Sequence, residues 1–140
     1  MYDELFEAWK REKLNEEIQP LPKDFYAKLT RYIRRIREEQ RMLDEKTVKG
    51  SLMKKEEENV RKMVEDLIQT RYEKIMRLIR RGEATPISRL SEEEERWFQE
   101  SSVQFESLKK FAEKILQGRL KKTERKMKNG LVVVRILREI

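Results

Sequence analysis

Residues 60–82, VRKMVEDLIQTRYEKIMRLIRRG, decide the predicted fold. Their apolar side chains recur every three or four residues, which is the spacing of one face of an α-helix. These apolar positions are Val60, Met63, Val64, Leu67, Ile68, Tyr72, Ile75, Met76 and Ile79. Arg80 and Arg81 fall in the last turn and Gly82 follows them, a pattern typical of a helix C-terminus. The stretch therefore predicts a long amphipathic helix at about residues 52–81.

Three further segments have the same helical spacing of apolar residues. We predict helices at about residues 2–16, 23–45 and 92–119. Pro20 and Pro22 end the first of these, because proline interrupts helical hydrogen bonding. Ser91 with Glu94 forms a capping box, the clearest helix start in the chain. Residues 47–51, which contain a glycine, indicate a break before the long helix.

The composition excludes most catalytic chemistry. The 140 residues contain no Cys and no His, so thiol nucleophiles, Cys/His zinc sites and histidine bases are absent. The 4 glycines are isolated, which excludes a glycine-rich phosphate loop. Carboxylates are common, as at residues 92–95, but we interpret them as neighbours on exposed helix faces. We predict no catalytic residue, no metal site and no cofactor.

Positive charge is concentrated near the end of the chain. The formal net charge is +7, and residues 119–128 carry six basic residues against one glutamate. The basic residues are Arg119, Lys121, Lys122, Arg125, Lys126 and Lys128. We interpret residues 119–130 as a solvated basic linker. The alternative is that these six residues contact nucleic acid.

The spacing of the apolar residues changes after this basic segment. Asn129-Gly130 is a turn signal, and residues 131–137 are rich in β-branched side chains, as in a strand. A single strand cannot satisfy its own backbone groups. We therefore interpret residues 131–140 as the first strand of a truncated small β domain. The predicted fold is all-α, with a helical domain at residues 1–118 formed by a four-helix bundle, followed by the basic linker and one C-terminal β-strand.

The length of the third and fourth helices predicts a partner. Helices of about 28–30 residues extend for about 42–45 Å, which is long for a monomer of this size. Aromatic and apolar residues on the predicted stripes are the candidate subunit contacts, with core packing as the alternative for each. These candidates are Leu5, Trp9, Phe25, Tyr26, Tyr72, Trp97 and Phe98. No stretch approaches the roughly 20 apolar residues that would span a membrane.

Three motifs in this order resemble a known family. They are Leu21-Pro22-Lys23-Asp24-Phe25-Tyr26, Gln69-Thr70-Arg71-Tyr72-Glu73-Lys74-Ile75 and Val132-Val133-Val134-Arg135-Ile136-Leu137. Together they resemble a subunit of the archaeal GINS complex, of the type with its helical domain first and a small β domain second. The resemblance extends over essentially the whole chain, although most of the β domain is missing.

The resemblance implies a function in chromosomal DNA replication. GINS is a non-catalytic scaffold and helicase accessory factor that links the MCM helicase to a RecJ-like partner at the fork. It implies a homo- or hetero-tetramer with sister subunits, a location on the cytoplasmic nucleoid at the replication fork, and at most weak DNA contact. The competing interpretation is a nucleic-acid-binding helical module that uses residues 119–128.

Overall fold

The computed structural model describes residues 1–84 and 86–120, and every regular element there is helical. The α-helices are α1 (Tyr2–Leu14), α2 (Phe25–Arg41), α3 (Val48–Arg81) and α4 (Glu92–Leu116), with a short 3-10 helix at Ile87–Arg89 before α4. No strand occurs in these residues, so the all-α prediction is confirmed for them. The predicted strand at residues 131–140 and most of the predicted linker lie outside the described residues.

The chain divides into two units, with the boundary between Val103 and Gln104 inside α4. The first unit contains α1, α2, α3 and the beginning of α4, and it holds the core. The described part of the second unit is the C-terminal part of α4 and the residues that end it.

The core of the first unit lies along the apolar face of α3, against α1 and α2. Its buried members are Leu5, Ala8, Leu21, Phe25, Leu29, Tyr32, Ile36, Val60, Met63 and Leu67. All of them except Leu21, which lies in the connection between α1 and α2, come from the three helices and recur at helical spacing. Each large apolar side chain buried in this way contributes about 1.5–3 kcal/mol relative to exposure.

The predicted break before the long helix exists, but it lies at residues 42–47 rather than 47–51, because α3 begins at Val48. Thr47 is the N-cap, and its hydroxyl accepts a hydrogen bond of 3.0 Å from the backbone N–H of Gly50. The threonine hydroxyl also donates to the Asp44 carbonyl at 2.7 Å. Gly50 therefore lies in the first turn of α3, where its missing side chain lets the preceding turn approach closely.

We expect Gly50→Ala to destabilise the protein, although alanine favours helices by about 1 kcal/mol over glycine. An added Cβ would overlap the backbone carbonyl of Asp44 and lie 3.1 Å from the Thr47 hydroxyl oxygen. Overpacking of this kind costs about 1–3 kcal/mol, which exceeds the gain in helix propensity. The thermal midpoint should fall for Gly50→Ala and stay nearly constant for the exposed neighbour Ser51→Ala. A rise for Gly50→Ala would show that this turn is not tightly packed.

The polar first turns of α3 pair with α2. The Tyr32 hydroxyl donates to the Glu56 carboxylate, and Arg37 forms an ion pair of 3.5 Å with Glu57. Burial raises the pKa of the Tyr32 hydroxyl, and the hydrogen bond to Glu56 raises it further. These contacts explain why α3 continues as a helix on the N-terminal side of its apolar stripe.

Two glycines with positive φ end the long helices. Gly82 has φ 67° at the end of α3, as the sequence predicts. Gly118 has φ 68°, and the N–H of Arg119 donates to the Lys114 carbonyl at 2.8 Å. This left-handed ending closes α4 at Leu116, three residues before the predicted end at about 119.

Candidate interaction surface

A buried cluster of four charges lies in the first unit, formed by Glu12, Arg71, Lys74 and Glu94. We call it the charge network. Arg71 on α3 is its centre and is 0% exposed. Its Nε and Nη2 donate to the two carboxylate oxygens of Glu94 at 2.6 and 2.8 Å, and Nη1 donates to Glu12 at 2.7 Å. This two-point contact with Glu94 is the strong arrangement for an arginine–carboxylate pair.

Lys74 completes the charge network at the end of α1. Its ammonium donates to the Glu12 carboxylate at 2.7 Å. It also donates to the backbone carbonyls of Glu12 and Asn15, each at 2.7 Å. A cation at this place satisfies carbonyls that a helix C-terminus leaves without partners. The network therefore fixes α1 to α3.

Glu94 links α4 to the same network. One of its carboxylate oxygens accepts the backbone N–H of Ser91 at 2.9 Å, and its own N–H donates to the Ser91 hydroxyl at 3.2 Å. The predicted capping box is therefore confirmed. The other oxygen accepts the Tyr26 hydroxyl at 2.8 Å. The interpretation of residues 92–95 as exposed carboxylates is wrong for Glu94, which is fully buried.

The pairing of Arg71 with Glu94 outweighs the effect of burial on the pKa values of both groups. Burial alone would raise the pKa of Glu94, but the hydrogen bond and positive charge of Arg71 lower the pKa below its ordinary value. Burial likewise disfavours the charged Arg71, yet Glu94 raises its pKa. The pKa of Tyr26 is raised, first by burial and then by the negative charge of Glu94. Glu94 therefore stays ionised and Tyr26 neutral, and the network serves to join helices.

We expect the network to make the fold acid-sensitive. Because the pKa of Glu94 is lower in the folded state, the unfolded state binds more protons once the pH falls below about 4.5. The free energy of unfolding should therefore fall with pH in this range, until the folded-state pKa is passed. Urea unfolding between about pH 3 and pH 6 should give a flatter acid limb for Glu94→Gln than for the unchanged chain. The exposed control Glu58→Gln should keep the original slope, and equal slopes for all three would contradict this account.

A groove lies between α3 and the beginning of α4, within the first unit. Its volume is about 660 Å³, and we call it the α3–α4 groove. Its lining is Val64, Ile68, Tyr72 and Trp97, with Glu65, Gln69, Glu100 and Ser101 as the polar members. Tyr72 remains 46% exposed in it. The groove thus has an apolar floor and two carboxylates among its lining residues.

The C-terminal part of α4 carries apolar side chains that face solvent. Leu108 is 59% exposed, Phe111 51%, Ile115 48% and Leu116 85%. At 100° per residue these positions, with Phe105 and Ala112, fall within an arc of about 140°. We call these six residues the α4 stripe. An amphipathic helix that leaves such a face in water is typical of an interaction surface.

Four of the predicted interface residues make contacts within the first unit. Leu5 and Phe25 are core residues. Trp9 is half-buried and donates its indole N–H to Asp66 at 2.7 Å, while Tyr26 belongs to the surroundings of the charge network. Packing and hydrogen bonding inside one chain account for these four.

Two of the predicted interface residues, Tyr72 and Trp97, meet in the α3–α4 groove. Phe98 is half-buried on α4. Of the six predicted nucleic-acid contacts, Arg119 is exposed. The other five, Lys121, Lys122, Arg125, Lys126 and Lys128, lie outside the described residues.

Comparison of the chain with protein-family models, curated proteins and solved structures found no match. Among residues 1–84 and 86–120, no helix is long and apolar enough to cross a membrane. The same residues contain no group of three or more acidic side chains arranged to hold a metal ion.

Proposed function

We propose that the chain is a non-catalytic scaffold subunit of a GINS-type replication complex, which links the MCM helicase to a RecJ-like protein at the fork. The α4 stripe is the observation that carries the proposal. Four of its five large side chains are each about half exposed or more, and burying them against a partner gains the hydrophobic free energy that the isolated chain lacks. An exposed apolar surface of this kind is expected of a protein that is a subunit of an assembly.

The motifs behind the family resemblance support the proposal through their structural positions. Leu21 and Phe25 of the first motif are core residues, and the Lys23 ammonium donates to the carbonyls of Ile87 and Leu90 at 2.8 and 2.9 Å. In the second motif, Arg71, Lys74 and Ile75 are buried. Residues that hold the fold together are those expected to define a family.

The architecture suits a scaffold because the residues that stabilise the fold differ from those that are exposed for binding. The charge network fixes α1, α3 and the start of α4 to one another, which gives a firm platform. The stripe lies on the same helix beyond that platform. In the proposed assembly, sister subunits cover the stripe, and the basic residues 119–130 connect to a β domain that begins at residue 131.

The proposal is tested by reconstitution with purified proteins. An archaeal MCM helicase and a RecJ-like protein should enter one complex with this chain and its sister subunit, as measured by mass in solution. The triple substitution Leu108→Glu/Phe111→Glu/Ile115→Glu should prevent its incorporation, whereas Ala27→Glu on the exposed surface of α2 should not. If both variants enter the complex equally well, the α4 stripe is not a contact surface of the assembly.

The nucleic-acid-binding alternative predicts a different result. Affinity of the isolated chain for duplex DNA should then fall steeply with salt, because phosphate contacts release counterions. Neutralising Lys121, Lys122, Arg125 and Lys126 together should lower both that affinity and its salt slope. Tight DNA binding with no assembly would favour this alternative over the scaffold.

A further inference from the structure

We propose that the α3–α4 groove of one copy of this chain binds the α4 stripe of a second copy, in a two-fold dimer with two such contacts. The inference deepens the proposed function, on which it rests, by naming the first partner of the stripe. The occupant is thus a second copy of the same chain. Charge and length both point to it.

The chemistry of the groove calls for an amphipathic helix with basic edges. Val64, Ile68 and Trp97 supply an apolar floor that favours an apolar helix face. Glu65 and Glu100 add negative charge, and both side chains are exposed. A docking helix therefore gains from lysines beside its apolar residues.

The α4 stripe has these properties. Lys109 and Lys114 lie on opposite sides of its apolar arc at helical spacing. Lys109 contacts the ring of Phe105 at 5.8 Å from the centroid and forms an exposed ion pair of 3.7 Å with Glu106, which is worth little in water and leaves the lysine free to turn to a partner. From Phe105 to Ile115 the helix rises by about 15 Å, and from Val64 to Tyr72 the groove follows α3 for about 12 Å. The two surfaces match in length as well as in charge.

A two-fold dimer joins both pairs of surfaces at once. When the stripe of each copy binds the groove of the other, the grooves and stripes of both copies are covered. Such an arrangement is closed, so it gives a dimer rather than a filament.

Site-specific cross-linking tests the pairing, because the chain contains no cysteine. Full-length Gln69→Cys places a thiol in the groove, and Ala112→Cys places one in the stripe. The two variants are mixed and treated with a short bis-maleimide, and intact mass measures the product that joins Gln69→Cys to Ala112→Cys. Ala27→Cys, which is exposed on α2, replaces the groove variant in the control mixture.

We expect at least about tenfold more mixed product for the groove variant than for the control. Equal yields would overturn the pairing. A further variant carries both Gln69→Cys and Val133→Cys in one chain. If its two thiols are linked within that chain, and the mixture of single variants gives little product, the chain's own C-terminal segment occupies the groove and the pairing is overturned. If the chain assembles only with a sister subunit, self-pairing fails and the scaffold proposal stands. If it joins no assembly, both fail.

Charge exchange gives an independent measurement with no cross-linker. Glu65→Lys/Glu100→Lys and Lys109→Glu/Lys114→Glu should each weaken self-association by about tenfold, because groove and helix then repel. In a mixture of the two variants, both contacts of the dimer again join opposite charges. Association should therefore return for the mixture. No recovery, with both variants folded by circular dichroism, would contradict the pairing.

Discussion

Replacing Arg71 by methionine is expected to destabilise the first unit by about 3–5 kcal/mol, the usual cost of removing one partner from a buried ion pair. The substitution keeps an unbranched side chain of helix-forming type but leaves Glu94 without its two-point partner. Glu12 would keep only Lys74. Urea unfolding at neutral pH measures the loss. Arg80→Met, on an exposed position of the same helix, should change stability by less than about 0.5 kcal/mol.

A double-mutant cycle separates the ion pair from the loss of packing. Glu94→Gln retains a side chain that can complete the capping box with Ser91. In the Arg71→Met background it should cost much less than in the unchanged chain, because the charge that it removes is already unpaired there. Additive losses would show that the two residues contribute independently, against the charge network as described.

The second large effect concerns assembly. Leu108→Glu/Ile115→Glu removes two apolar side chains from the α4 stripe and places charges there. Each buried leucine or isoleucine is worth about 1.5–3 kcal/mol, so the dissociation constant should rise by about 100-fold or more. The thermal midpoint of the unchanged chain should increase with protein concentration, and that of the variant should not.

Two outcomes would contradict this second prediction. One is a variant that unfolds at low protein concentration, which would make the stripe part of the monomer's stability. The other is an unchanged dependence of the midpoint on concentration. The matched control is Lys110→Glu/Glu113→Lys, which keeps the net charge and changes the polar side of the same helix.

The sequence predicts the helices because their periodicity is strong, but it fails where local rules compete. Gly50 is read as a break, although a glycine in a first turn is compatible with a helix when Thr47 caps it. The left-handed residue Gly118 ends α4 at Leu116, earlier than its apolar spacing suggests. Both errors concern the position of a glycine relative to a cap, which spacing alone does not determine.

The charge network is harder to predict, because its pairs are distant in sequence. Arg71 and Glu94 are separated by 23 positions, and Arg71 and Glu12 by 59. A signal does exist in the helical register. Arg71 lies four residues after Leu67 and four before Ile75, and Glu12 follows Ala8 by four, so each charge occupies a position on an apolar face. Charges of opposite sign at such positions favour a buried pair, but the sequence leaves their partners undetermined.

The stripe itself follows from the sequence, whereas its exposure does not. Phe105, Leu108 and Ile115 recur at helical spacing, and this spacing does not distinguish the two ends of α4. In the structure the start of α4 buries Glu94, while Leu108 and Ile115 remain exposed. Only the packing of the other helices distinguishes the two parts.

The most direct test of the account is the mass of the full chain in solution, measured by sedimentation equilibrium at micromolar concentration. One chain weighs 17.2 kDa. We predict an assembly of two or more chains, either alone or with a sister subunit, which dissociates in the Leu108→Glu/Ile115→Glu variant. A mass of 17.2 kDa that does not change with concentration or with added sister subunits would contradict the scaffold account.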